Sequence, residues 1–180
     1  TIIGERNIIG PNTYLENMEI GDDNEIIMSH LVDSTIGHDV KVGPFARMRG
    51  HACVEANNKV GNFVELKGAH IQEGVKSEHL TYLGDCEIGD RTNIGCGTIT
   101  ANYDGYNKSR TVIGKDVFVG SGSIIIAPLE VKDNAFIAAG STLNKDVEED
   151  ALAIARCKQE NKVGYSHIIK AREKAKKENK

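Results

Sequence analysis

Four side chains that suit acid–base or phosphate chemistry lie close together in the segment GNFVELKGAHIQEGVKSEHLTYLG. They are Glu65, Lys67, His79 and Tyr82. Glu65 and His79 are separated by slightly fewer residues than one full coil of the repeating structure described below. The same is true of Lys67 and Tyr82, so each pair can meet on adjacent coils. A carboxylate beside an imidazole fixes its tautomer and stabilises the imidazolium, which makes the histidine usable as a general base. A structural histidine fits the same residue types, so both interpretations stay open at this point.

The overall charge limits the kind of ligand that these residues serve. The chain has 22 Lys and Arg against 26 Asp and Glu, which gives a net charge of −4. This balance argues against nucleic-acid binding, which normally needs a basic excess or a basic stripe. A phosphorylated small ligand therefore needs a local group of cations. The candidates, which also fit ordinary surface positions, are Arg47, Arg49, Lys67, Lys108 and Arg110.

The cysteines and histidines show neither a disulfide framework nor a metal-ligand spacing, so we expect no metal. The four cysteines lack a CxxC pair, which favours reduced thiols and a cytoplasmic location. Cys96 lies between two glycines and has no neighbouring base in the sequence, which favours a small turn residue over a nucleophile. No apolar run approaches ~18 residues, so we expect no membrane association.

A six-residue repeat predicts the elements that position these side chains. An aliphatic residue followed by glycine recurs along the chain, and a strict aliphatic frame occurs twice. The two frames are Ile36, Val42, Met48, Val54, Val60 and Leu66, and Ile113, Val119, Ile125, Val131, Ile137 and Leu143. A period of six fits one short strand plus one tight turn, and it fits neither a helix nor simple alternation. Three such units make a triangular coil of about 18 residues, repeated at roughly 4.8 Å.

The composition agrees with a narrow stacked prism. The 180 residues include 19 Gly and no Trp, and only 5% are aromatic. We therefore predict an all-β fold, a parallel β-helix with aliphatic side chains inside and Gly, Asn or Asp at its corners. Residues 1–156 are expected to form the β-helix, and residues 157–180 a charged helical or irregular tail with a solvated surface.

Two interruptions of the repeat indicate where ligand-binding residues gather. After Leu66 the frame shortens by one residue, and Ser77 takes an aliphatic position. The segment Thr100–Val112, TANYDGYNKSRTV, is inserted before the frame resumes. Insertions in a solenoid form loops on one edge, where binding residues collect. Since the chain opens at Thr1 inside a repeat, we expect it to be a fragment or processed form of a longer protein.

Several motifs resemble a known bacterial family. They are GPFARMRG, VGNFVELKGA, SEHLTYLGDCEIGDRTNIGCGTITANYDGYNKSRTVIG and VFVGS, and the likeness runs from about Gly43 to Arg156. They are similar to the C-terminal half of the bifunctional enzymes of UDP-N-acetylglucosamine synthesis, in which a glucosamine-1-phosphate N-acetyltransferase follows a uridylyltransferase. HLTYLGD and NYDG are far more specific than the hexapeptide repeat, which many acyltransferases share.

The resemblance implies a left-handed parallel β-helix that forms a homotrimer, with acetyl-CoA bound at the seam between neighbouring chains. It implies transfer of acetyl from acetyl-CoA to the amine of glucosamine 1-phosphate, which supplies UDP-N-acetylglucosamine for peptidoglycan and lipopolysaccharide synthesis. No glycine-rich nucleotide loop opens this chain, so uridylyl transfer and its magnesium are not expected of it.

The resemblance also assigns roles to individual residues. His79 matches the general base, and Glu65 its carboxylate partner. The positions that hold the sugar phosphate match Arg49, Lys67, Tyr82, Asn93 and Lys108. The positions that contact acetyl-CoA match Cys96, Asn102, Tyr103, Ser121, Ala139 and Arg156. We expect an N–H of the 102–103 stretch to stabilise the oxyanion, and Ser121 to protonate the departing thiolate.

One position departs from the family pattern, and two other functions fit the repeat. The family often has alanine where this chain has Cys96, so the details of the thioester pocket are expected to differ. Another acyltransferase of the same solenoid, acting on serine or a nucleotide-linked sugar, is the first alternative, although the phosphate-matching set argues against it. A non-catalytic β-helix that only assembles an oligomer is the second, although it gives His79 and the NYDG loop no reason to occur together.

Overall fold

The computed structural model describes residues 1–178, in which short strands follow one another from the first repeat to the last. The N-terminal half contains β1 (Ile2–Ile3), β2 (Ile8–Ile9), β3 (Tyr14–Ile20), β4 (Glu25–Ile26), β5 (His30–Ile36), β6 (Lys41–Val42), β7 (Arg47–Arg49), β8 (Cys53–Val54), β9 (Lys59–Lys67), β10 (His70–Ile71) and β11 (Lys76–Gly84). The C-terminal half contains β12 (Cys86–Ile88), β13 (Asn93–Ile94), β14 (Ile99–Ala101), β15 (Thr111–Ile113), β16 (Phe118–Val119), β17 (Ile124–Ile126), β18 (Leu129–Val131), β19 (Phe136–Ile137), β20 (Thr142–Leu143), β21 (Leu152–Ala153) and the helix α1 (Tyr165–Glu178).

Parallel pairing arranges the strands into three faces of a prism with about nine turns. Face A consists of β2, β4, β6, the first parts of β9 and β11, β13, β16, β19 and β21. Face B consists of the first parts of β3 and β5, β7, the last parts of β9 and β11, β14, β17 and β20. Face C consists of β1, the last parts of β3 and β5, β8, β10, β12, β15 and β18. The predicted all-β parallel solenoid of hexapeptide repeats is confirmed.

The pairing register shows that the coils differ in length. On face C, Ile36 pairs with Val54, and Val54 pairs with Ile71, so the second of these coils is one residue shorter than the first. The coil from β12 to β15 is longer than both, because residues 102–110 form a loop between β14 and β15. The shortened frame and the insertion are thus both present, and the loop is shorter than the predicted Thr100–Val112 because strand pairing continues into both of its ends.

The core is a ladder of aliphatic side chains inside the prism. Every residue of the two predicted aliphatic frames is buried. The glycine that follows an inward residue is needed for close stacking of the coils, since a Cβ on Gly21 would lie 2.5 Å from the carbonyl oxygen of Gly37. The left-handed corner lies two residues further on, at Asp23 with φ 61°. Glycine therefore serves the contact between coils at this position, whereas the left-handed corners carry Asn, Asp, other side chains or, as at Gly97, glycine.

The C-terminal segment leaves the prism after β21. Residues 154–164 are irregular, and α1 has no buried side chain. The division at residues 156 and 157 stays a prediction, although the last paired strand already ends at Ala153. Within residues 1–178, no helix combines the length and apolar character that crossing a membrane requires.

Cys86 offers a direct test of the core. It begins β12 and is fully buried, and this burial raises the pKa of its thiol to about 12. A thiol with a raised pKa stays protonated at about pH 8, so we expect Cys86 to resist an aromatic disulfide reagent that modifies the exposed Cys157 at once. Replacement Cys86→Ser should lower the thiol count by one in denaturant and leave the native count unchanged. A lower count in the native protein would contradict this assignment.

Candidate active site

His79 lies at the corner between faces A and B, one residue before the left-handed Leu80. Its register partner on the preceding coil is Asn62, whose Oδ1 lies 3.0 Å from His79 Nδ1. When Nδ1 donates this hydrogen bond, Nε2 is the nitrogen with a free electron pair. Because the ring is exposed, Nε2 can take a proton from a bound ligand.

The expected contact between Glu65 and His79 does not form within the chain. Glu65 Oε1 instead accepts a hydrogen bond from Arg49 Nε over 2.7 Å and lies 3.9 Å from Arg47 Nη1. One full coil leads from Asn62 to His79, so Glu65, which comes later in that coil, lies on the other side of the corner. The prediction that Glu65 is the partner of His79 is corrected: the neutral amide of Asn62 fills that place and orients the ring without adding a negative charge.

Several predicted acetyl-CoA contacts follow His79 along the same corner on later coils. On each coil from β9 to β19, the residue two positions after the inward residue of face A lies at this corner. We call these residues the corner row, which is Asn62, His79, Cys96, Ser121 and Ala139. Backbone hydrogen bonds connect the later coils. Gly122 N donates to Cys96 O over 2.7 Å, and Gly140 N donates to Ser121 O over 2.8 Å. The structure therefore aligns the candidate base with three candidate acetyl-CoA contacts.

Beside the corner row, the left-handed residue changes from a bulky side chain to glycine. On the earlier coils, Phe45 and Phe63 are exposed and their rings stack with centroids 5.3 Å apart. On the later coils the same position is the glycine strip, which is Gly97, Gly122 and Gly140. Left-handed positions at another corner carry Arg91 and Asp116, and a Cβ on Gly140 would meet no atom within 4 Å. The glycine strip thus leaves bare backbone with open space above it.

A second cluster lies at the other edge of face B, around Asp85. Lys67 Nζ lies 2.5 and 2.7 Å from the two carboxylate oxygens of Asp85, and Asn102 Nδ2 donates to Oδ2 over 2.5 Å. Burial alone would raise the pKa of Asp85. The hydrogen bonds from Lys67 and Asn102, with the charges of Lys67 and Lys108, outweigh it and hold this pKa below its ordinary value. Three predicted site residues are therefore gathered around one ionised carboxylate.

Arg49 lies at the Asp85 edge of face B, and Tyr82 lies between the two clusters. Arg49 pairs in register with Lys67 on the next coil, and Tyr82 pairs with Glu65. The Tyr82 ring folds over Gly84, where a Cβ would overlap it. The strip of face B between the corners at Leu80 and Asp85 has a width on the order of 10 Å, which is comparable to a sugar phosphate.

Two predicted residues do not join these clusters within one chain. Asn93 lies on face A, between Lys76 and Phe118 of the adjoining coils, and so faces away from the cations of face B. Arg156 is exposed in the irregular segment after β21. In the part of the chain that the structure describes, no three His, Cys, Asp or Glu side chains form a metal-binding group.

Neither Asn62 nor Asp85 is marked as a site residue by the sequence motifs that contain them. The shortened frame gives a coil of 17 residues, and this length identifies Asn62 as the neighbour of His79. Asp85 has φ 46° and occupies a left-handed corner, as Asp39 and Asp116 also do. An aspartate is therefore ordinary at such a corner, and only its contacts distinguish Asp85 from the other corner aspartates.

The loop that carries Asn102 has its own internal support. Tyr103 bridges Lys108 in antiparallel fashion, and Asp104 Oδ1 accepts from the backbone N of Asn107 over 2.6 Å and of Tyr106 over 2.8 Å. These two hydrogen bonds, chiefly that from Asn107, hold the pKa of Asp104 below its ordinary value.

Replacement Asp104→Ala should therefore loosen the loop and speed hydrogen exchange at the amides of Tyr106 and Asn107 by about fivefold. Because the pKa of Asp104 is lowered, the protection should persist near neutral pH and be lost only as the pH falls through that lowered pKa. Hydrogen–deuterium exchange measures both effects. The matched control is Asp146→Ala, whose carboxylate accepts from Glu130 N elsewhere in the solenoid. Unchanged exchange in Asp104→Ala would contradict the assignment.

Comparison with known proteins places this geometry in a family context. Residues 110–145 match the family described as bacterial transferase hexapeptide (six repeats). The chain is 49% identical over 166 residues to "Bifunctional protein GlmU" of Listeria welshimeri, a match that covers 92% of this chain and 36% of the relative. It is 50% identical over 166 residues to the protein of the same name from Exiguobacterium, with 92% and 37% covered. The chain thus spans about a third of the length of these relatives.

Solved structures share the solenoid. A UDP-N-acetylglucosamine acyltransferase from Campylobacter jejuni has a TM-score of 0.67 at 17% identity, over 82% of this chain and 71% of that one. LpxA, a UDP-N-acetylglucosamine acyltransferase from Bacteroides fragilis, has a TM-score of 0.51 at 20% identity, over 83% and 65%. At these identities the likeness concerns the fold alone. The relationship that the motifs indicate is confirmed by the GlmU matches: the chain is a homologue of the C-terminal part of the bifunctional GlmU proteins and carries the bacterial transferase hexapeptide repeat.

Proposed function

We propose that this chain is an acyltransferase that moves the acetyl group of acetyl-CoA to the amine of glucosamine 1-phosphate. One observation carries the proposal: the candidate base His79 and the candidate phosphate-binding cations lie at the two edges of one face. A sugar phosphate fits between them, with Tyr82 beneath it. The product, N-acetylglucosamine 1-phosphate, would supply UDP-N-acetylglucosamine and cell-envelope synthesis in the cytoplasm.

Substrate orientation is the first task of the site. Arg49, Lys67 and Lys108 provide positive charge at the phosphate end, although the chain as a whole has a net charge of −4. Charge-assisted hydrogen bonds to the phosphate hold the sugar across face B, so that its amine points toward the corner at His79. Fixing two reactants in this way supplies a large part of a rate acceleration.

Proton transfer is the second task. The substrate amine is protonated near neutral pH and has no free electron pair until it loses that proton. His79 Nε2 takes the proton while Asn62 keeps the hydrogen on Nδ1, and the freed amine forms a bond to the acetyl carbon. A backbone N–H of the 102–103 stretch stabilises the oxyanion. The carbon–sulfur bond then breaks, and Ser121 passes its hydroxyl proton to the thiolate. The nitrogen loses the proton that it must shed to become the amide, this proton restores the Ser121 hydroxyl, and His79 returns its own proton to solvent.

The corner row and the glycine strip suit a long, extended co-substrate such as acetyl-CoA. The side chains of Ser121 and Ala139 are small and exposed, and Cys96 is half-buried beside them. The glycine strip provides room along three coils, where side chains at the same position would fill the space. Arg156, exposed beyond the row, supplies a charge for a phosphate at the nucleotide end.

We further propose that the protein works as a homotrimer. Phe118 and Phe136 on face A are 41% and 48% exposed and stack with centroids 4.6 Å apart. Ile124 and Ile126 on face B are 36% and 42% exposed. Two apolar faces at an angle suit a closed ring of three prisms. In such a ring the 102–110 loop of one chain reaches the corner row of its neighbour, which brings Asn102 and Tyr103 to the acetyl group.

The trimer predicts a solution mass of three times 19.6 kDa by light scattering. Replacement Phe136→Asp should shift the mass toward that of the monomer, because burying an unpaired carboxylate in an apolar interface is unfavourable. The control Lys41→Asp changes an exposed residue of face A away from the aromatic stack and should leave the mass unchanged. A monomeric parent chain would contradict the trimer.

Replacement of the base tests the reaction. We expect His79→Ala to lower kcat by about 10²- to 10⁴-fold, with little change in the KM of either substrate, because proton removal is lost and the phosphate contacts remain. Release of coenzyme A thiol measures the rate, with glucosamine 1-phosphate, serine and a nucleotide-linked amino sugar as acceptors. The control His38→Ala removes an exposed ring that contacts Asp39. Parent activity in His79→Ala contradicts the base assignment, and thiol release with only another acceptor contradicts the substrate.

A further inference from the structure

We propose that Asp85 is a positioning residue of the acetyl-transfer site, whose carboxylate holds the Lys67 ammonium and the Asn102 carboxamide in one fixed arrangement. The inference rests on the proposed function and deepens it. Lys67 belongs to the phosphate end of the site on its own chain, and Asn102 begins the loop that reaches the acetyl end of the neighbour's site in the proposed trimer. A single side chain would thus help to set the geometry of two adjacent sites.

The contacts of Asp85 leave neither of its carboxylate oxygens unengaged. Lys67 Nζ lies 2.5 Å from Oδ1 and 2.7 Å from Oδ2, and Asn102 Nδ2 donates to Oδ2 over 2.5 Å. Oδ2 receives both donors, and Oδ1 receives Lys67 as well. A carboxamide whose oxygen took the place of Oδ2 would turn its NH₂ toward the Lys67 ammonium, so a carboxylate fits both donors better than a carboxamide does.

The backbone around Asp85 is arranged to keep the carboxylate in this place. Asp85 N donates to Lys67 O over 2.7 Å, so the cation and the carboxylate are tied through the main chain as well. Thr111 N, at the far end of the inserted loop, lies 3.3 Å from Asp85 O. Glycine at position 68 leaves room for the carboxylate, since a Cβ there would lie 2.8 Å from Asp85 Oδ1.

The Lys67–Asp85 pair also differs from the surface ion pairs of the chain. Its side chains are 17% and 25% exposed, whereas those of the Arg91–Asp116 pair are 59% and 38% exposed. An exposed pair of that kind contributes little, and a partly buried pair persists only when its geometry and hydrogen bonds are good. Because Lys67 and Asp85 are largely shielded from water, we infer that this ion pair holds their side chains in a fixed arrangement.

The charge of Asp85 has opposite effects on the orientation of the substrate and on its affinity. A carboxylate next to a phosphate-binding lysine repels the phosphate, so Asp85 lowers the attraction of the site for its substrate. The benefit of keeping it must then lie in orientation. Loss of the carboxylate should accordingly slow the chemical step without weakening the binding of glucosamine 1-phosphate.

Replacement Asp85→Asn tests this separation in the full chain. Asn also tolerates the left-handed conformation at this position, so the variant should fold. We expect kcat to fall about 10-fold or more while the KM for glucosamine 1-phosphate stays equal or decreases. The control Asp116→Asn removes the carboxylate that pairs with Arg91 through two hydrogen bonds of 2.8 and 2.7 Å, away from the site, and should leave both parameters within about twofold.

A second comparison asks whether Asp85 acts through Asn102. If it does, the loss of kcat in the double variant Asp85→Asn/Asn102→Ala should be smaller than the product of the two single losses, because one of the two groups that Asp85 positions is already missing. Thermal unfolding confirms that each variant is folded. Asp85→Gly, which also suits a left-handed corner, replaces Asp85→Asn if that protein does not fold.

The outcomes separate this inference from the proposed function. A parent chain that releases no coenzyme A with glucosamine 1-phosphate overturns the proposed function. An active parent with Asp85→Asn at parent kcat overturns the positioning role alone. A raised KM with unchanged kcat, or losses that multiply in full in the double variant, also overturns it.

Discussion

Close stacking of successive coils is the constraint on which the whole structure depends. Parallel strands repeat at roughly 4.8 Å along the axis, so each residue contacts its equivalents on the coils before and after it. A side chain is therefore tolerated only if it fits beside those equivalents. This requirement explains the aliphatic ladder of the core, the glycines at which one backbone approaches the next, and the absence of tryptophan.

The same constraint arranges the candidate functional side chains in rows along the axis of the prism. His79, Cys96, Ser121 and Ala139 are far apart in sequence, but stacking brings them onto one corner. Because the neighbouring left-handed position changes to glycine on the later coils, the row borders open space there. A long ligand can therefore follow the axis of the prism while a compact one lies across face B.

The inserted loop is where the constraint is relaxed. Residues 102–110 have no equivalent on the adjoining coils, so they are held by their own hydrogen bonds and by the contact of Asn102 with Asp85. The loop projects at the opposite edge of face B from His79. The proposed trimer would join these two edges across a seam, which gives an oligomer a chemical purpose beyond covering apolar surface.

The amino-acid sequence by itself determined the fold, because a strict six-residue period has few physical solutions and the aliphatic frame marks every inward position. It also located the loop and the segment around His79, since both interrupt that period. The tertiary structure alone decided which side chains meet: a coil of 17 residues pairs His79 with Asn62 and leaves Glu65 with Arg49. Asp85 became visible only through its contacts, because its residue type is what any left-handed corner accepts. Closeness in sequence and residue type favoured Glu65, whereas the register selects Asn62, three residues earlier, and places Glu65 on the other side of the corner.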